Sequence, residues 1–207
     1  MNPGSIWPPR RLYDRAAFEL YQRRHPEAPW LPKETIELLN RLLRRGDNVL
    51  EWGSGRSSAW IGKQTHTLRT IEHDRVWFDQ TDRQLKADGL SQVTLDLLSP
   101  EPRSDPAASP YVRVIDEFAD GSLDVIFVDG EHRAACTLGS IPKLAAGGLL
   151  ILDDAHNFLD HPSASPGNRY QKGHAGAQWS EIATQIAGWR QVWVTDGYSD
   201  TAIWFKP

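Results

Sequence analysis

From residue 48 onward the chain alternates short β-rich runs with helical stretches: "NVLEW", "SSAWIGKQ", "TLRTIEH", "VWFDQTDRQLKADG", "VTLDLL", "LDVIFVDG", "RAACTLGSIPKLAAGG" and "LLILDD". Such alternation is the signature of a parallel sheet covered by helices on both faces. The C-terminal end breaks the rhythm. There "WRQVWVTDGYSDTAIWFKP" holds two β-rich runs joined by a short turn at Asp196, Gly197 and Tyr198, the signal of an antiparallel hairpin that closes the sheet. The fold class expected is α/β: a doubly wound sheet, mostly parallel, with a C-terminal antiparallel hairpin.

Ahead of this region, "DRAAFELYQRRH" and "KETIELLNRLLRR" carry apolar residues at mixed three and four spacing, and "PEAPWLP" separates them. Two amphipathic helices are expected, forming an N-terminal cap over residues 1–47 on a main unit spanning 48–207. A chain of 207 residues can bury one substantial core and is short for two typical domains. Its 23 basic against 27 acidic residues, a net charge of -4, provide no broad positive field, so nucleic acid is not an expected partner. The one cysteine, Cys136 in "RAACTL", fits a buried helix position and excludes an internal disulfide. The start of the chain lacks an apolar signal region and no apolar run approaches the roughly 20 residues needed to span a bilayer, which predicts a cytoplasmic protein away from membranes. Two long polar stretches, "SPEPRSDPAASPY" and "HNFLDHPSASPGNRYQKGHAGA", read as loops that could cover a site.

The stretch "VLEWGSGRSSAW" lies where such a sheet binds ligands, at the first strand-to-helix turn. Gly53 permits a tight turn and Gly55 a close approach of backbone to ligand, with Ser54 between them. The amides of Arg56, Ser57 and Ser58 then open a helix whose N-terminus favours electron-rich groups. The third glycine of a dinucleotide fingerprint is replaced by Ser58. About 20 residues further on, Glu72 ends the second strand, where a carboxylate can accept both hydroxyls of a ribose. Glu51, if aimed at the ligand, opposes a pyrophosphate and suits the ammonium or sulfonium of an aminoacyl nucleoside, favouring S-adenosylmethionine over NAD. The alternative for Glu51 is a local bond to neighbouring backbone.

With these residues in order, the sequence resembles the class I S-adenosylmethionine-dependent methyltransferases. The resemblance rests on "VLEWGSG", "IEHD", "LDVIFVDGEHR", "GGLLILDD" and the terminal hairpin, and it runs from about Asn48 to Phe205. Within that superfamily, "FVDGEH" followed by "LLILDD" is similar to the group containing macrocin O-methyltransferase and the cephalosporin-hydroxylase-like proteins. The resemblance implies a Rossmann-like, seven-stranded sheet, with Glu51, Gly53 and Gly55 around the methionine end, Glu72 at the ribose, and His73 and Asp74 beside the adenine. It also implies a divalent cation such as Mg2+ held by Asp129, Asp153 and Asp154. Glu131 stands where many relatives have aspartate.

From the residues alone, Asp129, Asp153 and Asp154 at adjacent strand ends would repel one another unless a cation offset their charge, and oxygen-only ligands favour magnesium, calcium or manganese. The alternative has Asp153 capping the next helix and Asp154 bonding the loop. Methyl transfer is an in-line displacement in which positioning does much of the work, and a hydroxyl acceptor needs help to lose its proton. His132 is the first choice of base, with Asp129, Glu131 and His156 nearby; each histidine could equally bond neighbouring backbone. Tyr170, Lys172 and His174 lie in the second polar loop and read as solvated. Among the tryptophans, Trp60, Trp77, Trp189, Trp193 and Trp204 fall within elements and suit the core, while Trp30 and Trp179 are better placed to line a pocket. The partner expected is a small-molecule acceptor; self-association stays open. Two rival readings are a nicotinamide-dependent oxidoreductase and a non-catalytic module that only binds S-adenosylmethionine.

Overall fold

The structure, a computed structural model, describes residues 9–166, 168 and 176–207. Tyr170, Lys172 and His174 lie outside the described residues. Two helices come first, α1 (Pro9–Arg24) and α2 (Lys33–Leu42). The alternating region follows: β1 (Asn48–Trp52), α3 (Arg56–Gly62), β2 (Thr67–Glu72), α4 (Arg75–Ala87), β3 (Val93–Leu97), α5 (Pro110–Arg113), β4 (Leu123–Val128), α6 (Arg133–Lys143) and β5 (Leu144–Leu152). Helix α7 (Ala177–Gln185) and the hairpin β6 (Arg190–Thr195) and β7 (Asp200–Phe205) complete the chain.

The seven strands form one sheet in the order β3-β2-β1-β4-β5-β7-β6. Strands β1 to β5 pair in parallel, and β7 lies antiparallel between β5 and β6. The central strands are apolar on both faces because helices cover both. On β1, Leu50 and Trp52 enter one core, joined by Tyr111 and by Ile182 of α7. Val49 enters the other, against Leu31, Ile36 and Leu39 of the N-terminal segment and Ile61 of α3. The two-residue period of a strand sends Glu51 to this second face, beneath α3. No helix among the described residues is long and apolar enough to cross a membrane.

Two segments differ from their sequence reading. The run "LAAGG" belongs to β5 and not to the preceding helix, so the strand starts at Leu144. Leu144 is fully buried opposite Leu123, and the next pair in register is Val125 with Leu149, which makes residues 145–148 a bulge. Gly147 takes φ +77°, and a Cβ on Gly148 would stand 2.9 Å from the Asp124 carbonyl oxygen, so the small residues are what allow the chain to bulge there. The stretch 99–111 is not simply an exposed loop. Its end turns inward: Ser109 and Tyr111 are fully buried, and the Trp52 indole donates to the Tyr111 carbonyl at 2.8 Å.

Candidate active site

Because β1, β2 and β4 run in parallel, their carboxyl ends open on one edge of the sheet, where a cavity of about 610 Å³ lies. Its floor is the turn 53–57. One wall is Glu72, His73 and the inward face of α4, the other is Asp129 to Glu131 with Arg133, and Trp30 from the α1–α2 connection overhangs it.

The turn is held tightly to the neighbouring strands. The Gly53 amide donates to the Ile71 carbonyl and the Asp129 amide to the Trp52 carbonyl, both at 2.9 Å. Gly53 has φ +91°, and a Cβ there would stand 2.9 Å from the Asp129 carbonyl carbon, so only glycine fits. Gly55 has open space around its missing Cβ, on the cavity side. Gly130 is the tightest point, since a Cβ would come within 1.9 Å of the Tyr111 hydroxyl, which itself accepts the Glu131 amide at 3.2 Å. Tyr111 is fully buried and cannot swing away. Gly130→Ala is therefore expected to cost about 1–3 kcal/mol or more, read as a lower denaturation midpoint in urea at unchanged slope.

Glu51 is fully buried beneath the turn and does not line the cavity. The Ser58 hydroxyl donates to its Oε2 at 2.5 Å and accepts the Gly55 amide at 3.1 Å, so the serine in the place of a third glycine links the buried acid to the turn. Burial raises the Glu51 pKa, while the hydroxyls of Ser57, Ser58 and Thr70 pull it back. Its Oε1 is buried without a hydrogen bond.

Glu72 stands at the mouth of the turn, 3% exposed. Its Oε2 accepts the Ser54 amide at 3.0 Å and the Ser54 hydroxyl at 2.9 Å, and its Oε1 accepts the amides of His73 at 2.7 Å and Asp74 at 2.8 Å. A carboxylate has about four lone-pair sites, and here the protein uses all of them. Three of the donors are backbone amides fixed by the fold; the fourth, Ser54 Oγ, has a second partner in Thr81 Oγ1 at 3.1 Å and can leave. His73 lines the cavity with its Nε2 3.7 Å from Glu131 Oε1, while Asp74 caps α4 through the amides of Val76 and Trp77.

At the other end, carboxylate oxygens of Asp129, Asp153 and Asp154 lie within 4.8 Å of one another, as the sequence expected. What sequence reasoning missed is Arg133. Its Nη2 donates to Asp129 Oδ1 at 2.9 Å and lies 3.7 Å from Asp154 Oδ2, and its Nη1 donates to the Asp153 carbonyl. Asp153 is 4% exposed and accepts the Thr201 hydroxyl at 2.8 Å; Asp154 accepts the Ser199 hydroxyl at 3.0 Å. Neither caps a helix: both are tied to the terminal hairpin. Burial, with Asp154 and Glu51, pushes the Asp129 carboxyl up against the pull of Arg133, to about 7.

The cavity brings together Gly53, Ser54, Gly55, Ser57, Glu72, His73, Asp129 and Glu131. His132 is not among its lining residues. Its Nε2 lies 2.7 Å from the Pro100 carbonyl oxygen, because the left-handed backbone at φ 51° turns the ring toward the loop after β3. His156 is buried away from the cavity, and the Glu131 carboxylate pairs with Arg103 at 2.9 Å. Trp77 is 47% exposed and lines the cavity beside Trp30, in an edge-to-face pair 6.3 Å apart, instead of entering the core. Trp179 does the reverse, buried and stacked on Phe158. Trp204 and Cys136 are core residues, as expected.

No known family profile matches the chain, and no curated sequence does. Solved structures do resemble it. A methyltransferase from Geobacter sulfurreducens superposes with TM-score 0.59 at 16% identity, over 100% of this chain and 90% of its own. A SAM-dependent methyltransferase from Aquifex aeolicus gives 0.56 at 15%, over 94% and 98%. A Staphylococcus aureus protein provisionally described as a caffeoyl-CoA O-methyltransferase gives 0.60 at 18%, over 95% and 100%. At these identities the likeness is one of fold: the chain has the Rossmann-like architecture found in S-adenosylmethionine-dependent methyltransferases.

Proposed function

We propose that the chain is an S-adenosylmethionine-dependent methyltransferase acting on a hydroxyl of a small molecule in the cytoplasm, with the N-terminal residues 9–47 as a cap over the site. The observation that carries this reading is the cavity itself, with the Gly53–Gly55 turn between Glu72 on one side and the acid-rich wall of Asp129 and Glu131 on the other. Its volume is that of a small-molecule site, about 300–1,000 Å³ in general. S-adenosylmethionine, when bound, supplies an electrophilic methyl on a cationic sulfur.

The residues divide the remaining tasks. The glycine turn lets the ligand lie against backbone, and Ser58 in the place of the third glycine departs from the dinucleotide fingerprint, which sets this reading above the nicotinamide one. Glu72 would hold a sugar hydroxyl once Ser54 turns to Thr81. Asp129 would accept the proton of the acceptor hydroxyl, while the bound donor would supply the methyl group to that oxygen and keep the electron pair of the broken carbon–sulfur bond. Arg133 already lies among the three acids, so no step is assigned to a metal ion.

Calorimetric titration with S-adenosylhomocysteine, and turnover of labelled methyl donor across hydroxylated metabolites, test the reading. Binding and transfer are expected. Binding without transfer to any acceptor would point to the non-catalytic module, and heat with NADH alone would overturn the proposal.

A further inference from the structure

The cluster of Asp129, Asp153 and Asp154 has the residue types and spacing of a divalent-cation site, but a cation of the chain's own is already there. A metal ion would need carboxylate oxygens at about 2.0–2.6 Å. Arg133 Nη2 stands 2.9 Å from Asp129 Oδ1 and 3.7 Å from Asp154 Oδ2, in the space between those acids. The guanidinium is fixed there by backbone: Nε donates to the Gly130 carbonyl at 3.1 Å, Nη2 to the Asp129 carbonyl at 3.0 Å, and Nη1 to the Asp153 carbonyl. It bridges the ends of β4 and β5, and its side chain is only 15% exposed with Phe158 against its face. To admit a metal it would have to abandon these bonds, and if it stayed the two cations would repel at contact distance.

We infer that Arg133 is the resident cation of this cluster, held where a three-acid site would place a divalent ion, and that it presents one N–H to the acceptor oxygen. Of the five guanidinium N–H groups, Nε uses one, Nη2 two (the Asp129 carbonyl and Oδ1) and Nη1 one, which leaves one on Nη1. Arg133 and Asp129 both line the cavity, on the same wall. A guanidinium stays charged at any working pH. It can therefore stabilise negative charge developing on an oxygen, but cannot take the proton. The donor role rests on the methyltransferase reading; the resident-cation role does not.

Titration of the full chain with Mn2+, followed by electron paramagnetic resonance of the free ion, tests this. The wild type is expected to take up no ion that Asp154→Asn removes. Arg133→Met, which keeps the stem and removes the charge, is expected to bind one Mn2+ per chain at least about tenfold more tightly than wild type. Stoichiometric Mn2+ on the wild type, lost in Asp154→Asn, would overturn the inference; so would a folded Arg133→Met that binds none. Should Arg133→Met not fold, the wild-type titration decides alone. Titration of the same samples with S-adenosylhomocysteine keeps the two ideas apart, since failure there removes the methyltransferase reading and leaves the manganese result standing.

Discussion

Asp129→Asn is expected to lower turnover by about 10²–10⁴-fold, the usual contribution of a positioned general base, and to remove a pH limb with its midpoint near 7. The carboxyl lies on the cavity wall, and its burial together with Asp154 and Glu51 outweighs Arg133 to bring it to about 7. The sign follows from the role. Below that pH the group carries a proton and cannot accept another, so wild-type turnover rises as pH rises through 7 and then levels. Asparagine keeps the shape and the contact to Arg133 but takes no proton at any pH. Affinity for S-adenosylhomocysteine, measured in parallel, is expected to change far less than turnover. Wild-type rates with the same pH limb in Asp129→Asn would show that Asp129 is not the base.

The architecture was legible because its signal is periodic. Runs such as "VLEW" and "LDVIFV" are mostly apolar without alternation, as in a strand covered on both faces, and both occupy the centre of the sheet. The hairpin was legible from its turn residues. What the pattern could not supply was the boundary of β5: alanine and glycine suit a helix end as well as a bulge, and the choice was made by Leu144, which is buried opposite Leu123 on a strand more than 20 residues earlier.

The site was legible where backbone dictates residue type and obscure where side chains meet across the fold. Gly53 and Glu72 sit at fixed offsets from strand ends, so their places followed from the strands. Trp77 did not: helical spacing marks it as one of several large residues on α4, and only the position of Trp30 shows that its side of the helix faces a cavity. Arg133 could have been found. It stands four residues after Asp129, across the strand-to-helix turn, a separation at which a cation can reach back to an acid. The acids drew attention because three like charges demand an explanation, and the explanation lay in the same motif, "DGEHR".

Substitutions around Glu72 should separate a residue that grips the ligand from one that competes with it. Glu72→Ala is expected to weaken S-adenosylhomocysteine binding by about 10- to 200-fold, the loss of one hydrogen bond to a charged group worth about 1.5–3 kcal/mol, with further loss from the amides of Ser54, His73 and Asp74 set free. Ser54→Ala should act in the opposite direction. It removes the hydroxyl that occupies the last site on Oε2 while leaving the Ser54 amide in place, so affinity holds or rises. Thr81→Val takes away the partner to which Ser54 turns, 3.1 Å away, and is expected to weaken binding modestly in the wild-type background. In the Ser54→Ala background the same change should have no effect, because there is no hydroxyl left to accommodate. This non-additivity is the decisive reading: residues coupled through a shared partner fail to add, and independent ones do not. A Ser54→Ala chain that loses affinity as Glu72→Ala does would mean that the serine itself contacts the ligand and that Glu72 only braces the turn.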